Sequence, residues 1–149
     1  MTSQGASVLD LSQVSDRIEI GDLLTRYTRA IDSGDFDRLD EVFTPQARID
    51  YTATGGIAGE FPEVKAWLAK MLPIFARRQH VIAQSEVTLD GDTAGVVAYF
   101  VNPMVIAQRD GPELLWEFGG YYHHALVRTE HGWRSQELVE ELVWKRGAP

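Results

Sequence analysis

The chain has 149 residues, 44% of them hydrophobic, and a formal net charge of −8 from 14 basic and 22 acidic side chains. An acidic excess of this size repels phosphate backbones and anionic lipid, so we expect neither nucleic acid nor a membrane surface as a partner. The chain contains no cysteine, which excludes disulfides and thiolate chemistry.

The beginning of the chain carries no sign of a secretory leader. Residues 1–8 lack both a basic region and an apolar core, and no apolar run approaches the roughly 20 residues that a membrane span needs. We therefore expect a mobile tail over residues 1–12, a single domain over residues 13–146 and a cytoplasmic location.

Helices are predicted first along the chain. Apolar residues recur at helical spacing between Ile18 and Ile31, which predicts a helix that starts near Val14. Its boundary signals are a serine N-cap and a glycine stop: Ser12 or Ser15, and Ser33-Gly34. A second short helix is predicted from its N-cap Asp35 through Val42-Phe43.

A short strand and a third helix follow. Alternating residues predict a strand over 48–52. Pro62 suits the first turn of a helix from about Glu63 to Arg77. Pro73 lies inside that range and should kink the helix or end it early.

The C-terminal half reads as four long strands joined by hairpin turns. The strands are rich in Val, Tyr, Trp and Phe, and Gly-containing turns separate them. Their predicted ranges are His80–Leu89, Ala94–Gln108, Leu114–Arg128 and Trp133–Trp144. Strands far longer than the usual five or six residues must curl. We therefore predict an α+β fold in which the N-terminal helices pack on a long, strongly curved antiparallel sheet, forming a cone around one internal pocket.

Histidines are the first candidates for proton transfer. His80 opens the first long strand, directly after the third helix. His123 and His124 are adjacent on a strand, so only one of them can face the pocket. His131 lies in a Glu-His-Gly turn and is expected to be solvated.

Asp32 is the most interesting of the acids. It lies in the last turn of the first helix, where the helix dipole disfavours a carboxylate, and it flanks the buried stripe. A surface acid in an Asp-Ser-Gly turn explains the same residue, and Asp35 competes with it for a place at the pocket. No ligand spacing for a metal, no glycine-rich phosphate loop and no redox motif is present, so we expect no metal and no cofactor.

Three segments resemble a known family. They are Tyr27 to Leu39 (YTRAIDSGDFDRL), Ala47 to Tyr51 (ARIDY) and Gln79-His80. Together with the order of elements they resemble scytalone dehydratase and its SnoaL-like relatives, within the superfamily of cone-shaped domains that includes ketosteroid isomerase and nuclear transport factor two. The likeness extends from about residue 14 to Trp144.

The resemblance implies a proton-moving pair. A histidine on the first long strand of that family, held by an aspartate from the end of the first helix, matches His80 and Asp32. Tyr51 matches one of two tyrosines that hold a water against the substrate carbonyl. Three positions depart from the family: Ile31 replaces the second tyrosine, Pro103-Met104 replaces a second histidine, and Gly120 and Tyr122 replace a serine and an asparagine.

The sequence thus favours a cofactor-free lyase, similar to a dehydratase, that acts on a small apolar or aromatic carbonyl compound. His80, Asp32 and Tyr51 are the predicted catalytic residues. The predicted substrate-binding residues are Tyr27, Ile31, Met104, Trp116, Phe118, Tyr122, His124 and Leu138. An isomerase or cyclase with the same pocket, or a non-catalytic binding or dimerisation module, remain alternatives, and a homodimer or homotrimer is expected.

Overall fold

The computed structural model of the protein describes residues 8–149. Most of the predicted tail therefore lies outside the described residues. Helix α1 spans Leu11–Ser33, so its first two residues fall in the range that was predicted as tail. The prediction of a serine N-cap was wrong: Asp10 accepts a hydrogen bond from the backbone of Gln13, whose side chain accepts one from the backbone of Asp10. Gly34 ends the helix in the left-handed conformation, with a φ of 76°.

The second helix is shorter than predicted. It is a 3₁₀ helix over Phe36–Glu41, and the side chain of Asp35 makes no capping hydrogen bond to it. Phe43 belongs instead to strand β1, Phe43–Asp50, where it pairs with Ser135 across the sheet. Long-range pairing therefore overrides the local helical preference at this point.

Short elements connect β1 to the long strands. A 3₁₀ turn over Thr52–Thr54 precedes strand β2, Ala58–Glu60, and helix α2, Phe61–Met71. Pro73 ends α2 early, as one of the two predicted outcomes had it, in a 3₁₀ turn over Leu72–Ile74. Arg77 is therefore not helical but lies in strand β3, Arg77–Arg78.

The four predicted long strands are present. They are β4, β5, β6 and β7, over Val81–Asp90, Thr93–Ile106, Leu114–Thr129 and Gly132–Arg146. His80 lies one residue before β4 rather than inside it. The sheet runs in the order β2-β1-β7-β6-β5-β3, with β4 also paired to β5. The predicted α+β fold is confirmed: helices are followed by a curved sheet in a cone-like arrangement. The sheet is mixed rather than wholly antiparallel, because β1 runs parallel to β7.

Helix α1 is tied to the inner face of the sheet by apolar packing and by one polar cluster. Ile20, Leu23 and Leu24 are buried on its sheet-facing side. Asp16 accepts two hydrogen bonds from Arg128 of β6, at 2.8 and 3.0 Å, and a third from the indole of Trp133 at 3.1 Å. Among residues 8–149, no helix is long and apolar enough to cross a membrane.

Strand β7 carries two bulges against β6. Leu126 pairs with Ser135 whereas Ala125 pairs with Glu137, which leaves Gln136 as an extra residue. In the same way Val143 is extra between the partners of Gly120 and Gly119. Each bulge bends the strand and raises its twist, and each shifts the alternation of inward and outward side chains by one residue.

Candidate active site

Asp32 and His80 form a closely bonded pair. The ring Nδ1 of His80 lies 2.7 Å from Oδ1 of Asp32, and the backbone N–H of His80 donates to both carboxylate oxygens, at 3.0 and 2.8 Å. The His80 side chain is 8% exposed and that of Asp32 is 18% exposed. An ionised carboxylate can only accept a hydrogen bond, so Nδ1 carries the ring proton and donates it to Asp32, which leaves Nε2 unprotonated and able to take up a proton.

Arg78 fixes the backbone around this pair. Its Nε donates to the carbonyl oxygen of Ile31 at 2.7 Å, one residue before Asp32. Its Nη1 lies 3.3 Å from the carbonyl oxygen of Leu72 and 3.4 Å from that of Phe75. A cation at the C-terminal end of α1 satisfies the free carbonyls of the last turn and complements the helix dipole.

Three tyrosines, Tyr27, Tyr51 and Tyr122, are buried and line the same cavity as His80. Tyr27 and Tyr51 share a hydrogen bond of 2.6 Å between their hydroxyl oxygens, and the ring of Tyr27 lies 5.4 Å from that of Tyr122. Burial is the main cause that raises the pKa of all three hydroxyls well above the ordinary value, and the Glu140 carboxyl adds to it. All three are therefore neutral. Tyr27, one helical turn before Ile31, thus supplies a second hydroxyl beside Tyr51.

Asn102 adds an unpartnered acceptor. Its Nδ2 donates to the hydroxyl of Tyr122 at 2.8 Å. The residue is 3% exposed, and its Oδ1 is buried with no hydrogen-bond partner among residues 8–149. A buried amide oxygen without a donor is unfavourable, so this atom marks a place where a ligand or a water donates.

Glu140 of β7 is the functional candidate that sequence reasoning missed. Its carboxyl accepts a hydrogen bond from the Thr54 hydroxyl at 2.6 Å, and the residue is 7% exposed. Among the residues that the structure describes, no cation pairs with it. Burial raises the pKa of Glu140 to about 7, against the lowering effect of the Thr54 hydrogen bond. A strongly perturbed carboxyl in a cavity is a feature of functional sites.

These groups line one small cavity of about 60 Å³. Its walls combine the polar groups described above with apolar side chains. The complete lining is Tyr27, Ile31, Tyr51, Thr54, Trp67, Leu68, Leu72, His80, Asn102, Met104, Phe118, Tyr122 and Glu140. Five of the eight predicted substrate-binding residues are among them. Asp32 lies behind His80 and not on the cavity wall.

The other three predicted substrate-binding residues do not line this small cavity. Trp116 packs edge-on against Phe75, with ring centroids 5.5 Å apart. Leu138 is fully buried in the core. His124 is the inward member of the histidine pair, but its Nδ1 lies 2.9 Å from the hydroxyl of Ser135, and burial lowers its pKa to about 3, so it is neutral core.

A second, larger pocket adjoins the cavity. It has a volume of about 400 Å³ and shares the side chains of Thr54 and Phe118 with the cavity. Its remaining walls are formed by Ala53, Gly55 and Trp116, by the end of β7 and by the residues after it. A cavity of 60 Å³ holds about two waters, so a ring-sized ligand needs this second pocket as well.

No group of three His, Cys, Asp or Glu side chains within residues 8–149 is placed to hold a metal ion. The cavity itself presents an imidazole, a carboxyl and several hydroxyls. One histidine with a free ring nitrogen, a protonatable carboxyl and neutral hydroxyls suit proton transfer at a carbonyl compound.

Comparison with known proteins decides the family. Residues 12–139 match the family described as SnoaL-like domain. The chain belongs to the SnoaL-like family. A SnoaL-like relative, the uncharacterized protein Rv2910c of Mycobacterium tuberculosis, is 45% identical over 140 residues, which is 94% of each chain.

Two solved structures share this SnoaL-like fold at low sequence identity. A putative scytalone dehydratase from Novosphingobium aromaticivorans superposes with a TM-score of 0.78 at 11% identity, over 91% of this chain and 89% of that one. The hexachlorocyclohexane dehydrochlorinase LinA-type3 from Novosphingobium barchaimii superposes with a TM-score of 0.77 at 16% identity, over 93% of both chains.

Proposed function

We propose that this protein is a cofactor-free lyase that eliminates water from a small carbonyl compound. One observation carries the proposal. Asp32 bonds Nδ1 of His80, which leaves Nε2 without a partner from Asp32, and His80 lines the cavity. The two solved structures with the same fold are named as enzymes that eliminate water or a chloride with its proton, which agrees with this reaction class.

The reaction starts at the carbon next to the carbonyl. Nε2 of His80 takes a proton from that carbon, and the electron pair moves to the carbonyl oxygen. Asp32 holds the ring in the productive tautomer and stabilises the imidazolium that forms. A hydroxide then leaves the next carbon and takes the proton back from Nε2, so that water departs and His80 is neutral again.

The tyrosines stabilise the oxygen. Tyr27, Tyr51 and Tyr122 together have three hydroxyl hydrogens, and the bonds that Tyr27 shares with Tyr51 and Tyr122 use two of them. The other is free to bond the oxygen on which negative charge develops, in a site from which bulk water is excluded. Neutral hydroxyls are required for this role, and burial keeps all three of them neutral.

The sizes of the two pockets define the substrate. The reacting carbonyl end fits the small cavity, and an apolar or aromatic remainder fits the adjoining 400 Å³ pocket behind Thr54 and Phe118. A ligand with one reacting end and one apolar end, about the size of a substituted ring, satisfies both.

Deuterium exchange tests the first step without knowledge of the natural substrate. A panel of small cyclic and aromatic ketones, half of them with a β-hydroxyl group, is incubated in D₂O and followed by NMR. We expect wild type to exchange the hydrogen next to the carbonyl and to release water from hydroxyketones. We expect H80Q and D32N to lose about 10²-fold or more in rate.

Asp35→Asn is the matched control, because Asp35 is exposed and lies only three residues beyond Asp32. Its rates should equal those of wild type. Exchange without any elimination would point to an isomerase or cyclase instead. Ketone binding without exchange would point to a binding module, and either result contradicts the lyase.

A further inference from the structure

We propose that Glu140 is a second acid–base group of this cavity, and that its protonated carboxyl gives a proton to the substrate's carbonyl oxygen while His80 takes the carbon-bound proton. This inference rests on the proposed function and assigns one more residue to the same reaction. It also predicts a ligand class, because a protonated acid in this place favours compounds that carry an oxyanion.

The position of Glu140 supports this role. It lies directly opposite Tyr122 in the β6–β7 pairing, with both side chains on the inner face. Its carboxyl is near enough to raise the pKa of the Tyr27, Tyr51 and Tyr122 hydroxyls, which mark the oxygen end of the cavity. The acid therefore lies where the carbonyl oxygen is expected.

The hydrogen-bond inventory leaves Glu140 available. Thr54 satisfies one carboxyl oxygen, at 2.6 Å, and no cation among the described residues holds the group ionised. Asn102 lines the same cavity, and its buried Oδ1 has no hydrogen-bond partner among the described residues, so it can accept a hydrogen bond from a ligand. Burying a carboxyl without a cation is unfavourable. The single hydrogen bond from Thr54 does not explain why a carboxyl occupies this position.

The titratable groups that face Glu140 are few. Tyr27 of α1, Tyr51 after β1 and Tyr122 of β6 stay neutral. Asp50 of β1 is ionised, since hydrogen bonds from Thr52 lower its pKa, and its charge favours the protonated form of Glu140. His124, behind Tyr122, is neutral. Glu140 is therefore the acid of this cavity whose pKa, at about 7, puts its change of charge near neutral pH.

The step balances without another reactant. Nε2 of His80 gains the carbon-bound proton, the carbonyl oxygen gains the Glu140 proton, and an enol forms beside a carboxylate. When hydroxide leaves with the His80 proton, the enol proton returns to Glu140 and the carbonyl is restored. Both side chains end as they began, one neutral and one protonated.

Binding of an oxyanion tests the proposal directly. Pentafluorophenol is acidic enough to be ionised throughout the range and mimics the charged oxygen of an enolate. Its Kd for the full-length protein is measured by calorimetry between about pH 6.5 and about pH 9. We expect Kd in wild type to rise by up to about tenfold per pH unit above about pH 7, because binding requires the protonated acid.

Two variants assign that slope. In E140Q the amide still accepts from Thr54 and cannot ionise, so Kd should be independent of pH. In H80Q the slope should persist, because it comes from Glu140 and not from an imidazolium. A flat wild-type profile, no binding to wild type, an unchanged slope in E140Q, or a flat profile in H80Q would each overturn the proposal.

The experiments distinguish failure of the proposed lyase function from failure of the proposed role of Glu140. If the ketones show no exchange in wild type, the lyase is wrong whatever the phenolate does. If exchange occurs but the phenolate profile in E140Q matches wild type, His80 still acts as the base and the role of Glu140 is rejected.

Discussion

At the scale of single residues, the pairing of Asp32 with His80 is unusual in using two donors of the same residue. Backbone and ring both point at one carboxylate, so the ring orientation is fixed by the chain as well as by the side chain. His80 therefore has little freedom to flip. The proton on Nδ1 is the feature from which the proposed base at Nε2 follows.

The tautomer of His80 can be read by ¹⁵N NMR of the imidazole ring. In the ligand-free protein at about pH 8 we expect the shifts of a ring protonated at Nδ1, with Nε2 unprotonated. In D32N the amide can donate as well as accept, so we expect a mixture of the two tautomers. A ring protonated at Nε2 in wild type would contradict the proposed base. His123, which faces outward and bonds Glu141, serves as the internal reference.

The sequence predicts the pairing of Asp32 with His80, which we propose moves the proton, but it does not predict the surroundings of this pair. The resemblance of short segments points to Asp32 and His80, and the structure brings them within hydrogen-bond distance. Tyr27 is among the predicted substrate-binding residues, but the sequence does not predict the hydrogen bond between its hydroxyl and that of Tyr51. Residues four apart lie on the same face of a helix, so Tyr27 and Ile31 both line the cavity. Tyr27 can therefore supply a hydroxyl on the face where the family has a tyrosine and this chain has Ile31.

At the scale of elements, strand alternation explains what the sequence could not predict. Trp133 of β7 faces inward, and in an unbroken strand every second residue after it would do the same. This alternation would place Glu137, Val139 and Glu141 on the cavity side. The extra residue Gln136 reverses that order, so Leu138 and Glu140 face inward instead. The inward position of Glu140 could not be predicted from the sequence, because no local sequence signal marks the bulge that causes it.

The second bulge depends on glycine. A methyl group at Gly120 would clash with the carbonyl oxygen of Glu141 on β7, so the strands could not approach as they do. We expect Gly120→Ala to lower the free energy of unfolding by about 2–4 kcal/mol, because the backbone must shift to relieve the overlap.

The matched control is Gly95→Ala in β5, since a methyl group at Gly95 meets no atom within 4 Å. Urea denaturation measures both variants. Equal stability of Gly120→Ala and Gly95→Ala would show that the close approach at Gly120 is not needed.

At the scale of the whole molecule, Glu140 links the site to folding. In the unfolded chain its carboxyl ionises near the ordinary value of about 4.5, whereas in the folded protein it keeps its proton up to about pH 7. Between these values the unfolded state binds fewer protons, so this group lowers stability as pH rises, and above about pH 7 its penalty is constant. The buried carboxyl of Glu140 therefore lowers the free energy of unfolding at neutral and alkaline pH.

Replacing this acid should stabilise the fold. We expect Glu140→Gln to exceed wild type in the free energy of unfolding by up to roughly 3 kcal/mol at about pH 8, and by little at about pH 4.5. Urea unfolding at several pH values measures the difference. Glu137→Gln, an exposed acid on the same strand, should show no such trend. A constant difference for Glu140→Gln would mean that its carboxyl is ionised in the folded state.

The bulge at Gln136 has a consequence for how such a site can change over time. Loss or gain of a single codon there would exchange the whole set of β7 side chains that face the cavity, replacing Leu138 and Glu140 with their outward neighbours, while the helices, the Asp32–His80 pair and the remaining strands stay in place. Two relatives with nearly identical catalytic pairs can therefore present opposite chemistry on the facing wall. We therefore expect that relatives with this fold can differ in the side chains that face the cavity through the length of one strand as well as through the identity of its residues.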